Sequence, residues 1–207
     1  MGNVFKLRVD FHAVVSVAVV NVSSEKSMGM WGAILSLIGG FIPYIGSVVS
    51  LIGFILILLA LKGISDAAGD ERPFKNYLYG VIFAIGGLIV ILALLFGTFA
   101  LVPAGWHLNE SAGTGLAILL FILFVALIIG AAYFQKRAWL AMYEITNTKE
   151  FKDAATWVWW GALTAITLVG FLLLLIARVF VIIAFNKMPA ELGEEPEPAP
   201  AEEEVIW

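Results

Sequence analysis

The chain contains no cysteine. Disulfides, thiolate zinc sites and iron–sulfur clusters are therefore excluded. Histidine is nearly as scarce. His12 and His107 are its two copies, and neither has a partner at metal-ligand spacing. Charge is thin as well, at 14% Asp, Glu, Lys and Arg, where soluble domains carry about a quarter. No acidic residue falls inside any of the long apolar stretches. That removes the groups on which intramembrane aspartyl proteases and most proton-coupled carriers depend. Ser–His nucleophilic chemistry needs a positioned base, and His107 sits in a short connection beside Trp106. No run or face of Lys and Arg exists, so nucleic acid is not an expected partner. These absences point away from an enzyme. They lead to no catalytic, cofactor-binding or metal-binding residue and to no cofactor.

Apolar sequence is what the chain has instead. Hydrophobic residues make up 61%, and mean hydropathy is +0.98. Four long apolar stretches cover 28–61, 77–102, 114–133 and 156–185. A helix of about 20 apolar residues crosses the hydrocarbon core of a bilayer, and each stretch reaches that length. The expected fold class is all-α: a polytopic integral membrane helix bundle of four apolar regions and four to six helices. The first region, about 34 residues, would extend about 50 Å as one helix. It holds Gly39, Gly40, Pro43 and Gly46. Pro43 removes a backbone donor and clashes with the preceding turn. The expectation is a break at Pro43, with helices near 30–41 and 46–62. The last region is also too long and carries Gly170 as a candidate break.

Between the regions, Asp70 and Pro73 suit the start of a helix. The segment 134–145 brings Phe134, Ala138, Trp139, Met142 and Tyr143 near one face, the pattern of a helix lying in the membrane interface. Asn147 and Glu150 have capping-box spacing. Trp157, Trp159 and Trp160 suit the headgroup level. Lys62, Arg72 and Lys75 mark the connection 62–76, and Lys136, Arg137, Lys149 and Lys152 mark 134–153, whereas 103–113 has neither Lys nor Arg. The positive-inside rule makes the first two cytoplasmic and the third external, in a multi-pass protein of the cell membrane. Asn109-Glu110-Ser111 in that external connection is a glycosylation sequon. If the first and last regions each cross once, both termini are external; if each folds back, both are cytoplasmic.

Three domains are expected. Residues 1–27 are an N-terminal extension or signal-like segment, with a strand-like alternation over 4–13 and a short apolar run over 13–22. Residues 28–188 are the transmembrane helical domain. Residues 189–207 form a disordered Glu- and Pro-rich tail, which holds Glu191, Glu194, Glu195, Glu197, Glu202, Glu203 and Glu204.

Arg178 is the one charge within an apolar region. At the bilayer centre it would cost about 2.5–3.5 kcal/mol. One reading is snorkelling to the headgroups or a structural role; the other is contact with an anion or a lipid phosphate. Gly80, Gly86, Gly87, Gly130, Ala131 and Ala132 suit close helix contacts. Ser36, Ser47, Ser50, Thr164 and Thr167 either line a cavity or bond back to their own helix. The runs 52–60 and 169–177 resemble each other, as do Phe74-Lys75-Asn76 and Phe151-Lys152-Asp153, but the two matches imply different offsets for a repeat.

The run 37–46, then Leu51-Ile52-Gly53, Leu61-Lys62-Gly63-Ile64-Ser65-Asp66 and Gly69-Asp70-Glu71-Arg72-Pro73-Phe74-Lys75-Asn76, resembles the prokaryotic, largely archaeal membrane-protein family catalogued as domain of unknown function 996. Phe134-Gln135-Lys136-Arg137-Ala138 fits it too. The resemblance covers 28–187 and implies no activity, substrate or site residue. Two functional expectations remain. The first is a non-enzymatic structural or partner-interaction membrane protein, set in the lipid bilayer and joined to copies of itself or to another membrane protein. The alternative is a small permease or channel with a site near the Pro43 break.

Overall fold

A computed structural model describes residues 19–101 and 110–193. Their architecture is helical, with α1 Ser23–Gly39, α2 Gly46–Ala68, α3 Arg72–Leu101, α4 Glu110–Thr146, α5 Lys149–Leu163 and α6 Leu168–Lys187. Two short strands, β1 Val20–Asn21 and β2 Glu191–Leu192, pair antiparallel. The six helices form three sequential antiparallel hairpins: α1–α2, α3–α4 and α5–α6. This is the membrane helix bundle expected, at the upper end of the helix count. Four helices, α2, α3, α4 and α6, are long and apolar enough to cross a bilayer. At 17 and 15 residues, α1 and α5 extend only about 25 and 22 Å.

The break around Pro43 is where the sequence puts it. Residues 40–45 turn the chain back so that α2 packs along α1. Tyr44 takes a positive φ of 66°, and Gly46 opens α2 against the end of α1. A Cβ on Gly46 would collide with the Gly39 carbonyl, so the hairpin closes only on glycine. Further along, a Cβ on Gly53 would meet the Gly32 carbonyl at 2.5 Å. The two helices therefore touch backbone to backbone, as small residues allow in membranes.

The last region also folds back, but not at Gly170. The break covers 164–167, and Gly170 lies in the first turn of α6. Thr167 caps that helix by accepting from the Gly170 N–H, and its hydroxyl donates to the Thr164 carbonyl at 2.7 Å. A Cβ on Gly170 would strike the same Thr164 carbonyl. Gly170 thus acts as Gly46 does: it lets the returning helix start against the end of the outgoing one. The resemblance of 52–60 to 169–177 does not align these two glycines, so it does not superpose the two hairpin tips.

Three further expectations are corrected. Residues 134–145 do not lie along an interface. They continue α4 as one helix of 37 residues, and their apolar face is covered by protein: Ala138, Trp139 and Met142 are buried. Asn147 and Glu150 form no capping box. Asn147, at φ 51°, ends α4 in the left-handed region that asparagine tolerates, and Thr148 is the residue before α5. The chain from 189 onward is not wholly without structure, because Leu192 is buried through the β1–β2 pair and the Val22 N–H donates to the Ala190 carbonyl at 2.7 Å. The rest of the acidic tail, the strand-like alternation of 4–13, most of the apolar run 13–22, His12, His107 and the sequon at Asn109 lie outside the described residues. Helix α1 starts at Ser23, so it runs through the 27/28 boundary drawn from sequence.

The buried core gathers at one end of the bundle. Tyr77 of α3, Trp139 of α4, Phe151 of α5 and Phe185 of α6 are fully buried there. Trp139 stacks on Phe151 at 5.9 Å and meets Tyr77 and Phe185 edge-on at 5.4 and 6.2 Å. Phe185 also fills the space a side chain at Gly29 would need. Ion pairs rim this end: Arg72 with Asp70 and Glu144, Lys75 with Glu71, and Lys187 with Glu150. At the opposite end, α3 and α4 run on with little cover. Ile82, Ile85, Ile89, Val90, Phe96, Ile118, Phe121 and Phe124 are all exposed.

Candidate functional site

Among the described residues no group of three His, Asp or Glu side chains stands close enough to hold a metal ion. The features with functional content are three: the Pro43 turn, the bare α3–α4 hairpin, and a cleft at Arg178.

The Pro43 turn is an exposed tip. Phe41, Tyr44 and Ile45 face outward, Tyr44 with 99% of its surface exposed. The hydroxyls near it are used locally: Ser50 Oγ donates to the Ser36 carbonyl at 3.4 Å across the hairpin. Thr164 Oγ1 likewise bonds back to the Trp160 carbonyl at 2.7 Å. The structure brings Ser36 and Ser50 together but leaves Ser47 exposed, and Thr164 and Thr167 sit at the other tip.

The α3–α4 hairpin is held by small residues on its inner seam. Gly80 lies against Phe134 and Ala131, Gly87 against Leu127, and Gly130 against the Phe83 ring. Gly86, grouped with these by sequence, faces the other way: nothing lies within 4 Å of a Cβ built there. Only 6% of the spanning window of either helix is buried by the rest of the chain.

The third feature lies between α4, α5 and α6. A cleft of about 240 Å³ is lined by Ile128, Ala131, Ala132, Gln135, Val158, Ala162, Leu174 and Arg178. The α6 helix brings Arg178 there because Ala177, Val181, Ala184 and Phe185 on its adjacent face are locked into the core. The side chain is half-buried and makes no ion pair among the described residues. The Tyr77 hydroxyl faces the Arg178 guanidinium, which acts on it both as a charge and as a hydrogen-bond donor, although the contact falls short of full hydrogen-bonding geometry; Tyr77 is fully buried and does not line the cleft. Sequence reasoning identified Arg178 as out of place. It missed Gln135 and Tyr77, since a glutamine beside Lys136 and a tyrosine at a helix start carry no signal until the helices are packed.

Electrostatics are distinct at the rim. The Arg72 guanidinium hydrogen-bonded to Asp70 holds that carboxyl below its usual value. Hydrogen bonding from Lys187 does the same for Glu150. Lys136 lies over the Trp159 ring at 4.8 Å and Arg137 over Tyr133 at 5.1 Å, which ties the cations of this end to its aromatic belt.

Comparison with known proteins places the chain. The family model described as "Protein of unknown function (DUF996)" matches residues 49–179. An uncharacterised protein of Methanocaldococcus jannaschii is 30% identical over 179 residues, which cover 85% of this chain and 98% of that protein. No solved structure matches the chain. The chain belongs to the DUF996 family, as the motif around Asp70 implies; the run 37–46 lies outside the matched residues.

Proposed function

We propose that this member of the DUF996 family is a non-enzymatic membrane protein that works by assembling with a membrane-embedded partner, a second copy or another helical protein, through its α3–α4 hairpin. One observation carries the reading. Two helices of 30 and 37 residues project from a packed core, and their spanning parts are almost uncovered by their own chain. Lipid solvates such a surface, so no hydrophobic force drives association there. Close van der Waals packing at small residues does, and Gly86 and Gly97 present open backbone on this surface. By the positive-inside rule, the Lys and Arg residues of the connections at the packed end support a cytoplasmic location for that end, and with it for both ends of the described chain, in a cell-membrane protein.

A permease site at Pro43 has less support, since the turn is an exposed tip and the Ser50 hydroxyl behind it is already bonded across the hairpin. The absence of cysteine makes the assembly reading directly testable. Gly86→Cys in native membranes is expected to form an oxidant-dependent disulfide dimer, or a mixed adduct with a partner, while Asp153→Cys at the exposed rim of the packed end stays monomeric. Equal cross-linking at both positions, or none at Gly86→Cys and at Gly97→Cys, overturns the proposal. Fusion of a periplasm-sensitive reporter to each terminus tests the sidedness; activity outside the cell would reverse it.

A further inference from the structure

The Arg178 cleft does not end at its polar residues. Ile128 and Ala162 also line a second cavity of about 280 Å³, whose other walls are Phe121, Phe124, Val125, Ala165 and Ile166. The two cavities adjoin at those residues, which sets them end to end as a groove between α4 and the α5–α6 hairpin. From Gln135 to Phe121 it follows α4 for about 21 Å, at about 1.5 Å per residue. Its two ends differ in chemistry. One holds a guanidinium without an ion pair and a glutamine amide. The other is lined by apolar side chains alone.

We infer that this groove binds an anionic lipid, with the headgroup phosphate against Arg178 and one hydrocarbon chain laid along α4 toward Phe121 and Ile166. Three considerations support this occupant. Arg178 is a full charge at the edge of an apolar region, and nothing in the described chain neutralises it; a phosphate oxyanion does so by charge-assisted hydrogen bonds. Gln135 supplies a neutral donor next to that charge. The apolar continuation distinguishes a phosphate carried on a hydrocarbon chain from a free phosphate ion, which has no use for 21 Å of groove (about 14 residues of helix at the same rise). Snorkelling alone explains Arg178 but not the groove. The inference goes beyond the assembly reading: it uses the side of α4 turned to α5 and α6, not the α3 surface that carries Gly86 and Gly97.

The test uses the full chain purified in an uncharged detergent and followed by thermal unfolding. Ligand that binds the folded state raises the midpoint in a concentration-dependent way. Phosphatidylglycerol is expected to raise it to a plateau, and phosphatidylcholine and inorganic phosphate are not. Arg178→Gln should weaken the phosphatidylglycerol response at least about tenfold, with Arg178→Lys retaining part of it and Gln135→Leu, away from the aromatic core, weakening it measurably. Val125→Trp, which fills the apolar arm, should weaken the response while leaving Arg178 in place. A response to inorganic phosphate equal to that to phosphatidylglycerol overturns the lipid as the source of the phosphate. An undiminished response in Arg178→Gln, or none in the unaltered chain, overturns the site.

Discussion

The two ends of the bundle solve different problems. At the end built around Trp139, helices from all three hairpins converge, and rings and small residues interlock to exclude everything else. At the other end, α3 and α4 touch chiefly each other and present Ile, Leu, Val and Phe outward. Both are apolar, so composition does not separate them. What separates them is where small residues stand opposite large ones, as Gly29 does opposite Phe185, and where long helices simply outrun their neighbours. A membrane protein needs a dense core only where its own helices must hold one another; elsewhere lipid is an equivalent apolar solvent.

Removing a core ring is the strongest way to test that division. Trp139→Ala leaves a cavity among Tyr77, Phe151 and Phe185 and is expected to cost about 3–5 kcal/mol, read as a lowered unfolding midpoint in mild detergent. Ile89→Ala, at a residue 60% exposed, should cost about 0.5 kcal/mol or less. Comparable losses in the purified chain would mean that a second copy stays seated on the hairpin in detergent.

Glycine substitutions sharpen the comparison at smaller scale. Gly53→Ala pushes a methyl into the backbone of α1 at Gly32 and Ser36, atoms that cannot rotate away, and should cost about 1–3 kcal/mol. Gly86→Ala meets open space within its own chain and should stabilise α3 of the isolated chain by up to about 1 kcal/mol through helix propensity, while weakening the assembly that packs on that glycine. An undiminished assembly in Gly86→Ala would place that glycine outside the interface.

The smallest effect is electrostatic and belongs to the packed end alone. Asp70 and Glu150 have carboxyls held below their ordinary values by hydrogen bonds from Arg72 and Lys187. A lowered folded-state value contributes stability that is complete above the unfolded values, 3.8 and 4.5, and is lost as pH falls below them. Unfolding midpoints should therefore drop between about pH 5 and pH 3, by no more than about 1 kcal/mol for each exposed pair. Asp70→Asn with Glu150→Gln should flatten that acid limb. A limb of unchanged steepness would assign it to other carboxylates.

Much of this was legible in the residues. Spans came from runs of apolar sequence, the first break from Pro43 between glycines, and the family from motifs flanking Asp70. The second break was misplaced because Gly170 looks like a helix breaker, whereas the interruption is built by Thr164 and Thr167, whose hydroxyls satisfy the backbone locally. The segment 134–145 was misread because an aromatic face looks the same whether it meets headgroups or a protein core. Arg178 was visible as an anomaly, but its surroundings were not.

Sequence by itself determined that this chain lives in a bilayer, since no arrangement of four such apolar stretches satisfies water. It also determined where proline and glycine force the first turn. Tertiary structure alone decided that the outer regions fold back into hairpins, that one end is dense and the other bare, and that Arg178 opens onto a groove. The reason is physical. Hydrophobicity reports what avoids water but is silent on whether lipid or protein takes water's place, and only the packing of distant helices makes that choice.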